Sequence, residues 1–216
     1  MRFSQMSIAL VAAFLMVSSV APTAARAASP HEMADEAEIA ALDLEAQGKL
    51  DDAVVKHREA LKLMPNSKAF KENAARTLNA AAVAKHDAQN DAVAIGYLEE
   101  ALVLVPNFQA AKDNLAALKG GKLNSEGVAL LKAGDFVGAS AKFTEVLALQ
   151  PTNKAAKINL DVAQAQLLLK DDPAGAVAKL QDAVALDSSR QFLKDKLAEA
   201  QAAADAKAAA DAAPKK

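Results

Sequence analysis

An all-α array of stacked helical hairpins is the fold that three observations predict. Alanine and leucine dominate the chain, while aromatics make up 4% and tryptophan is absent. Alanine gives up no side-chain entropy in a helix, so this composition favours helix over strand. One pattern of apolar spacing recurs four times, and proline closes three of the four copies. Helix breakers are otherwise sparse, with 8 glycines and 7 prolines in 216 residues.

The first residues read as a leader. Arg2 is followed by a charge-free run from Met6 to Val20, then Pro22 and the small-x-small triplet Ala25-Arg26-Ala27. This is the order of a secretory signal peptide, with cleavage expected after Ala27. The run is short against the ~20 apolar residues a spanning helix needs, so no stable membrane insertion is expected after cleavage. The expected division is residues 1–27 as leader, 28–197 as repeat domain and 198–216 as an alanine-rich helix fraying into a tail. The expected location is the periplasm or the medium.

Export normally brings disulfides, yet the chain has no cysteine, which excludes a disulfide framework, a thiol nucleophile and a lipid-anchored cysteine. Loss of Arg2 and Arg26 leaves 23 basic against 27 acidic residues, the reverse of a nucleic-acid footprint.

The repeats settle the fold class. The four copies run from Gly48 to Pro65, Asp91 to Pro106, Gly134 to Pro151 and Asp172 to Ser188. In each, a small residue precedes a second small or β-branched one by seven positions (Ala53 and Ala60, Ala94 and Ala101, Ala139 and Val146, Ala176 and Ala183). Such spacing places both on one helical face. Alanine there admits a neighbouring helix closely, and proline then ends the helix. After each proline stop an asparagine follows at the eighth position: Asn73, Asn114 and Asn159.

These residues resemble the tetratricopeptide repeat family, in which a helix A carrying Asn-Leu-Gly turns into a helix B ending in Ala-Leu-x-Leu-x-Pro. The third unit matches best, through Gly127, Leu130, Gly134, Phe136, Ala139, Phe143, Leu147, Leu149 and Pro151. The resemblance implies a right-handed α-solenoid of about four helical-hairpin repeats. The family period is 34 residues, whereas the stops here lie 41, 45 and 37 apart. Lengthened A helices are therefore expected: one long helix over residues 67–89, and a second extension that Gly120-Gly121 splits in two, making about ten helices. Ser29-Pro30-His31-Glu32 is a capping box that starts the first helix.

Nothing in the pattern assembles catalytic chemistry, and no cofactor or metal is expected. The resemblance places His57 at a large, half-buried helix-B packing position. His86 sits near a helix end, and His31 stands among carboxylates at a helix start. Paired carboxylates such as Glu99-Glu100 are adjacent on a helix and do not face each other. The function expected is binding of a protein or peptide along the concave face formed by the A helices. The resemblance places Asn73, Arg76, Asn114 and Asn159 there. Asp35, Glu38 and Glu45 on the first helix would make the groove mildly acidic, with Arg76 its main cation. Lys179 reads as solvent-facing. A structural, self-assembling envelope protein is the alternative, since the open ends of such an array can self-associate.

Overall fold

The computed structural model describes residues 27–213. The leader expected over residues 1–27 therefore lies, but for Ala27, outside the described residues. Nine helices and no strand occupy the described chain: α1 (Pro30–Ala46), α2 (Leu50–Leu63), α3 (Lys68–Asp87), α4 (Asp91–Leu104), α5 (Gln109–Ala133), α6 (Phe136–Leu149), α7 (Lys154–Leu168), α8 (Pro173–Leu186) and α9 (Gln191–Ala212). They pack as hairpins α1–α2, α3–α4, α5–α6 and α7–α8, each against the next, with α9 closing on α8. Odd-numbered helices are the A helices and even-numbered ones the B helices.

Local chemistry sets the boundaries. Ser29 Oγ accepts from Glu32 N at 3.2 Å while Glu32 Oε2 accepts from Ser29 N at 2.7 Å, so two otherwise orphaned amides are satisfied at the start of α1. Side chains of Ser67, Asn90, Asp135, Asn153 and Asp172 cap later helices in the same sense. Gly134 ends α5 in the left-handed region at φ 82°, where a Cβ would be strained. The proline stops lie two residues beyond the last residues of α2, α4 and α6.

The recurring small positions form the interior. All eight residues of the seven-spaced pairs are fully buried, Ala139 and Ala183 among them. Four residues after the first of each pair stands a large core side chain: His57, Leu98, Phe143 and Leu180, each at 1% exposure or less. On the B-helix side, Arg58 Nε donates to Glu100 Oε1 at 2.8 Å and its guanidinium lies 5.8 Å from the Tyr97 ring centre, joining α2 to α4.

One expectation about the helices is corrected. Gly120-Gly121 does not split the third A helix, and α5 runs unbroken for 25 residues. Each glycine costs a helix only about 1 kcal/mol against alanine, less than packing on two sides returns. Gly120 is buried against Gln150, whose Nε2 would lie 2.9 Å from an added Cβ and donates to Ala116 O at 2.9 Å. Gly127 likewise lies under the Phe143 ring, with 2.8 Å between that ring and an added Cβ. Gly120 and Gly127 thus admit neighbours, whereas nothing stands within 4 Å of a Cβ at Gly121.

Candidate functional site

The A helices meet one another through a repeated amide contact. Asn73 Nδ2 on α3 donates to Glu38 Oε1 on α1 at 2.6 Å, and Asn114 Nδ2 on α5 to Asn79 Oδ1 on α3 at 2.8 Å. Asn159 Nδ2 on α7 reaches Asn124 Oδ1 on α5 at 3.5 Å. Each contact spans 35 residues. All three asparagines are half-buried, and Arg76, which is exposed, donates from its guanidinium to Asn73 Oδ1. The four residues expected at a binding face thus lie along the row of A helices, with the asparagines tying each to the one before. Their partners are side chains of the preceding A helix.

The constant span locates the extra residues. The stops vary in spacing while the contacts do not, so the insertion lies inside each A helix, between the residue that donates backward and the one that accepts forward. That interval is Asn73 to Asn79 in α3 and Asn114 to Asn124 in α5, four residues longer in the second. Four residues are about one helical turn, which keeps the faces in phase.

The three junctions are filled differently. At the first, His57 Nδ1 lies 2.8 Å from Glu38 Oε2 and its Nε2 2.9 Å from Glu45 Oε1, with Thr77 Oγ1 3.0 Å from the same nitrogen. Thr77 also donates to Glu45. Glu38 is 6% exposed, so two expectations are corrected. Glu38 is not a groove charge, because it is buried against His57, while Glu45 bonds the same ring and stays 31% exposed; His57 is buried rather than half-buried. A buried carboxylate requires such a partner. At the third junction, Val128, Leu130 and Leu131 pack with Leu160 against Ala139, Phe143 and Ala163.

The second junction is packed by Leu78, Leu98, Leu115 and Leu118 but leaves a slot beside them. Helices α3, α4 and α5 enclose a slot of about 610 Å³ with Leu98 and Leu118 at its walls and Asn114 among its lining residues. Ala82, Ala117 and Gly121 line it where larger side chains would close it, and Val83 is left 45% exposed. His86 Nδ1 and Asp91 Oδ1, 2.7 Å apart, stand with Lys122 and Ser125 in the lining. Sequence reasoning missed this slot. Its one signal was Gly121 inside an apolar-periodic stretch.

The last hairpin holds an unsatisfied charge. Asp161 on α7 is 5% exposed, its Oδ2 has no hydrogen-bond partner, and Lys179 Nζ stands 3.9 Å from Oδ1. Lys179 is therefore not a purely solvent-facing residue. Burial pushes the Asp161 carboxyl above the usual aspartate range, partly offset by Lys179. The folded state then holds this proton more tightly than the unfolded chain does. Stability is full at pH below the ordinary aspartate value and falls as pH rises through the raised one. Asp161→Asn is expected to raise stability at pH 7, because it removes the buried charge while keeping the side-chain shape. Urea unfolding should show that gain shrinking toward pH 4, and an equal gain at both pH values would refute the assignment.

Among the described residues no three His, Asp or Glu side chains are grouped to hold a metal ion, and no helix is long and apolar enough to cross a membrane. His31 pairs with Asp35 at 2.9 Å on the exposed start of α1.

No family model matches the chain, and no curated protein does. Among solved structures it is similar to the TPR2AB domain of yeast Sti1, solved with pHSP90, at 19% identity over 82% of this chain and 86% of that one, with a TM-score of 0.34. It is similar to pilF of Pseudomonas aeruginosa at 20% identity over 79% and 68%, with a TM-score of 0.30. It is also similar to the P58(IPK) TPR domain at 15% identity and a TM-score of 0.31, the likeness covering 81% of this chain and 56% of that one. By their own packing, the described residues form an all-α solenoid of four helical hairpins closed by a ninth helix.

Proposed function

We propose that the chain is an exported, non-catalytic scaffold that holds an extended segment of a partner protein along its concave A-helix face, in the cell envelope. The observation that carries this reading is the pair of asparagine–asparagine contacts. Each uses one donor and one acceptor and leaves another of each, at Asn79 with Asn114 and at Asn124 with Asn159. Turning either pair of amides leaves the same complement, so the outcome does not depend on amide assignment. A donor beside an acceptor is what a peptide group presents in return, so a partner's main chain can bond there whatever its side chains. Arg76 adds a cation one step along the row. The leader expected over residues 1–27 supports export.

A photo-crosslinker placed at Asn124 should capture the bound partner in the native host, and one at Val103, 80% exposed on α4, should not. Equal capture from both positions would move the site off the A helices. Asn114→Ala should weaken partner binding and also cost about 0.5–1.5 kcal/mol, because it deletes a half-buried hydrogen bond. Arg76→Glu should weaken an acidic partner while changing stability by less than about 0.5 kcal/mol. The exported protein should begin at Ala28 on N-terminal sequencing.

A further inference from the structure

The two edges of the array carry opposite charge. Each B helix hands over to the next A helix on one edge, where hollows of about 280 and 190 Å³ lie between neighbouring turns. Each A helix turns into its own B helix on the other edge. With four helical residues on either side included, the four turns of the first edge hold eight basic residues and one acid, Asp187. The four turns of the second hold nine acids and four basic residues. The whole chain has a net charge of −2, so the basic edge comes from placement and not from composition.

The charges differ in availability as well. On the acidic edge Glu45 bonds His57, Asp51 bonds Lys85 and Asp91 bonds His86, while Asp135 and Asp172 cap helices. On the basic edge Lys68 meets Glu72 at 3.6 Å and Arg190 meets Asp187 at 2.8 Å. Lys62, Lys71, Lys112, Lys154, Lys157 and Lys194 make no ion pair among the described residues. Lys68 and Lys154 open α3 and α7, where the helix dipole disfavours a cation, so local stability does not account for them.

We propose that this basic edge rests on an anionic lipid surface. Seven of its eight cations are lysine, a compact charge without the planar fork that fixed, bidentate recognition uses, and that suits a layer of mobile headgroups. Leu149, 39% exposed, and Phe192, 45% exposed, stand among the lysines and can enter the headgroup boundary. The first hollow sets Asn66 and Asn107 beside Lys71, with Glu72 also in its lining, and the second sets Thr152 beside Lys157. Hydrogen-bonding groups thus accompany the charge. Glu32, Asp35 and Glu36 on α1 make the near end acidic, so the contact begins at α2. Lying on an edge, it leaves the concave face free to hold a partner.

The test uses the purified protein beginning at Ala28 and vesicles of phosphatidylcholine, alone or in a two-to-one mixture with phosphatidylglycerol. Cosedimentation at low salt should show at least about tenfold tighter binding to the mixed vesicles, a ratio that two lysines at a charged surface suffice to give. Salt at about 1 M should remove most of it, because the screening length then falls to about 3 Å. Lys112→Glu/Lys154→Glu should weaken binding to the mixed vesicles at least about tenfold. Lys132→Glu/Lys170→Glu makes the same change in net charge on the opposite edge and should leave binding within about twofold. Phe192→Ser should weaken binding and keep its salt dependence. The melting temperature of Lys112→Glu/Lys154→Glu should hold or rise, since Lys154→Glu puts an acid where the helix dipole favours one, which separates lost binding from lost folding. Equal binding to both kinds of vesicle, or full binding by Lys112→Glu/Lys154→Glu, overturns the proposal. So does binding to a DNA duplex with none to vesicles. Growth of the free protein at low salt also overturns it, by seating the acidic edge of a second copy there.

Discussion

His57→Leu should destabilise the protein by about 3–5 kcal/mol, although leucine is the residue found at the equivalent positions 98 and 180. The substitution provides apolar volume where the other repeats have it. It also leaves Glu38, 6% exposed, facing a hydrocarbon, and strips Glu45 of its ring contact. Asn73 alone then bonds the buried carboxylate. The cost comes from the stranded charge, so removing that charge should recover most of it. The double variant His57→Leu/Glu38→Met should lie within about 1.5 kcal/mol of the native protein, because apolar replacement of the buried pair is often neutral and Glu45, 31% exposed, keeps access to water. Urea midpoints for the two variants decide it. If the double variant is no more stable than the single one, the ring is a packing residue and the carboxylate is solvated.

Phe143→Ala should cost about 3–5 kcal/mol, since it empties the centre of the third repeat. Its ring is fully buried and lies over Gly127, so the two positions are coupled. Gly127→Ala alone should be destabilising, because the added Cβ meets the ring at 2.8 Å and α5 and α6 must part to admit it. In the Phe143→Ala background the same methyl group fills part of the void and improves helix propensity, so its sign should reverse. A double-mutant cycle read by thermal or urea unfolding measures this coupling. Simple additivity would mean that Gly127 and Phe143 do not touch.

The parts that were legible in the sequence are those whose physics is local. Ser29 to Glu32 caps a helix within four residues, and the seven-residue spacing of Ala53 with Ala60 recurs within one helix, so both could be read directly. The asparagines were legible as a recurring polar position and as an A-helix row. Their partners were not, because a 35-residue span crosses a whole hairpin and leaves no periodic trace. Glu38 and Glu45 misled for the same reason: on α1 alone they read as solvated acids, and only the arrival of α2 turns them inward toward His57. Gly120-Gly121 misled in the opposite direction. Local propensity favours a break there, whereas contact with Gln150 rewards continuity. The slot beside the second junction left only Gly121 as a trace, since its outline is drawn by three helices at once.

The 35-residue span separates the docking of hairpins from the length of each A helix. Docking of one hairpin on the next depends on the residues inside that span. The length of an A helix between its backward and forward contacts is left free, and α5 uses that freedom by one turn more than α3. Four added residues lengthen a wall by about 6 Å and bring the side chains back to within about 40° of their former bearing. The array therefore behaves like shelving on fixed brackets, where the height of a single bay can change while its neighbours stay level. A designer wishing to reshape one pocket would add or remove a turn between Asn114 and Asn124 and leave every other junction untouched.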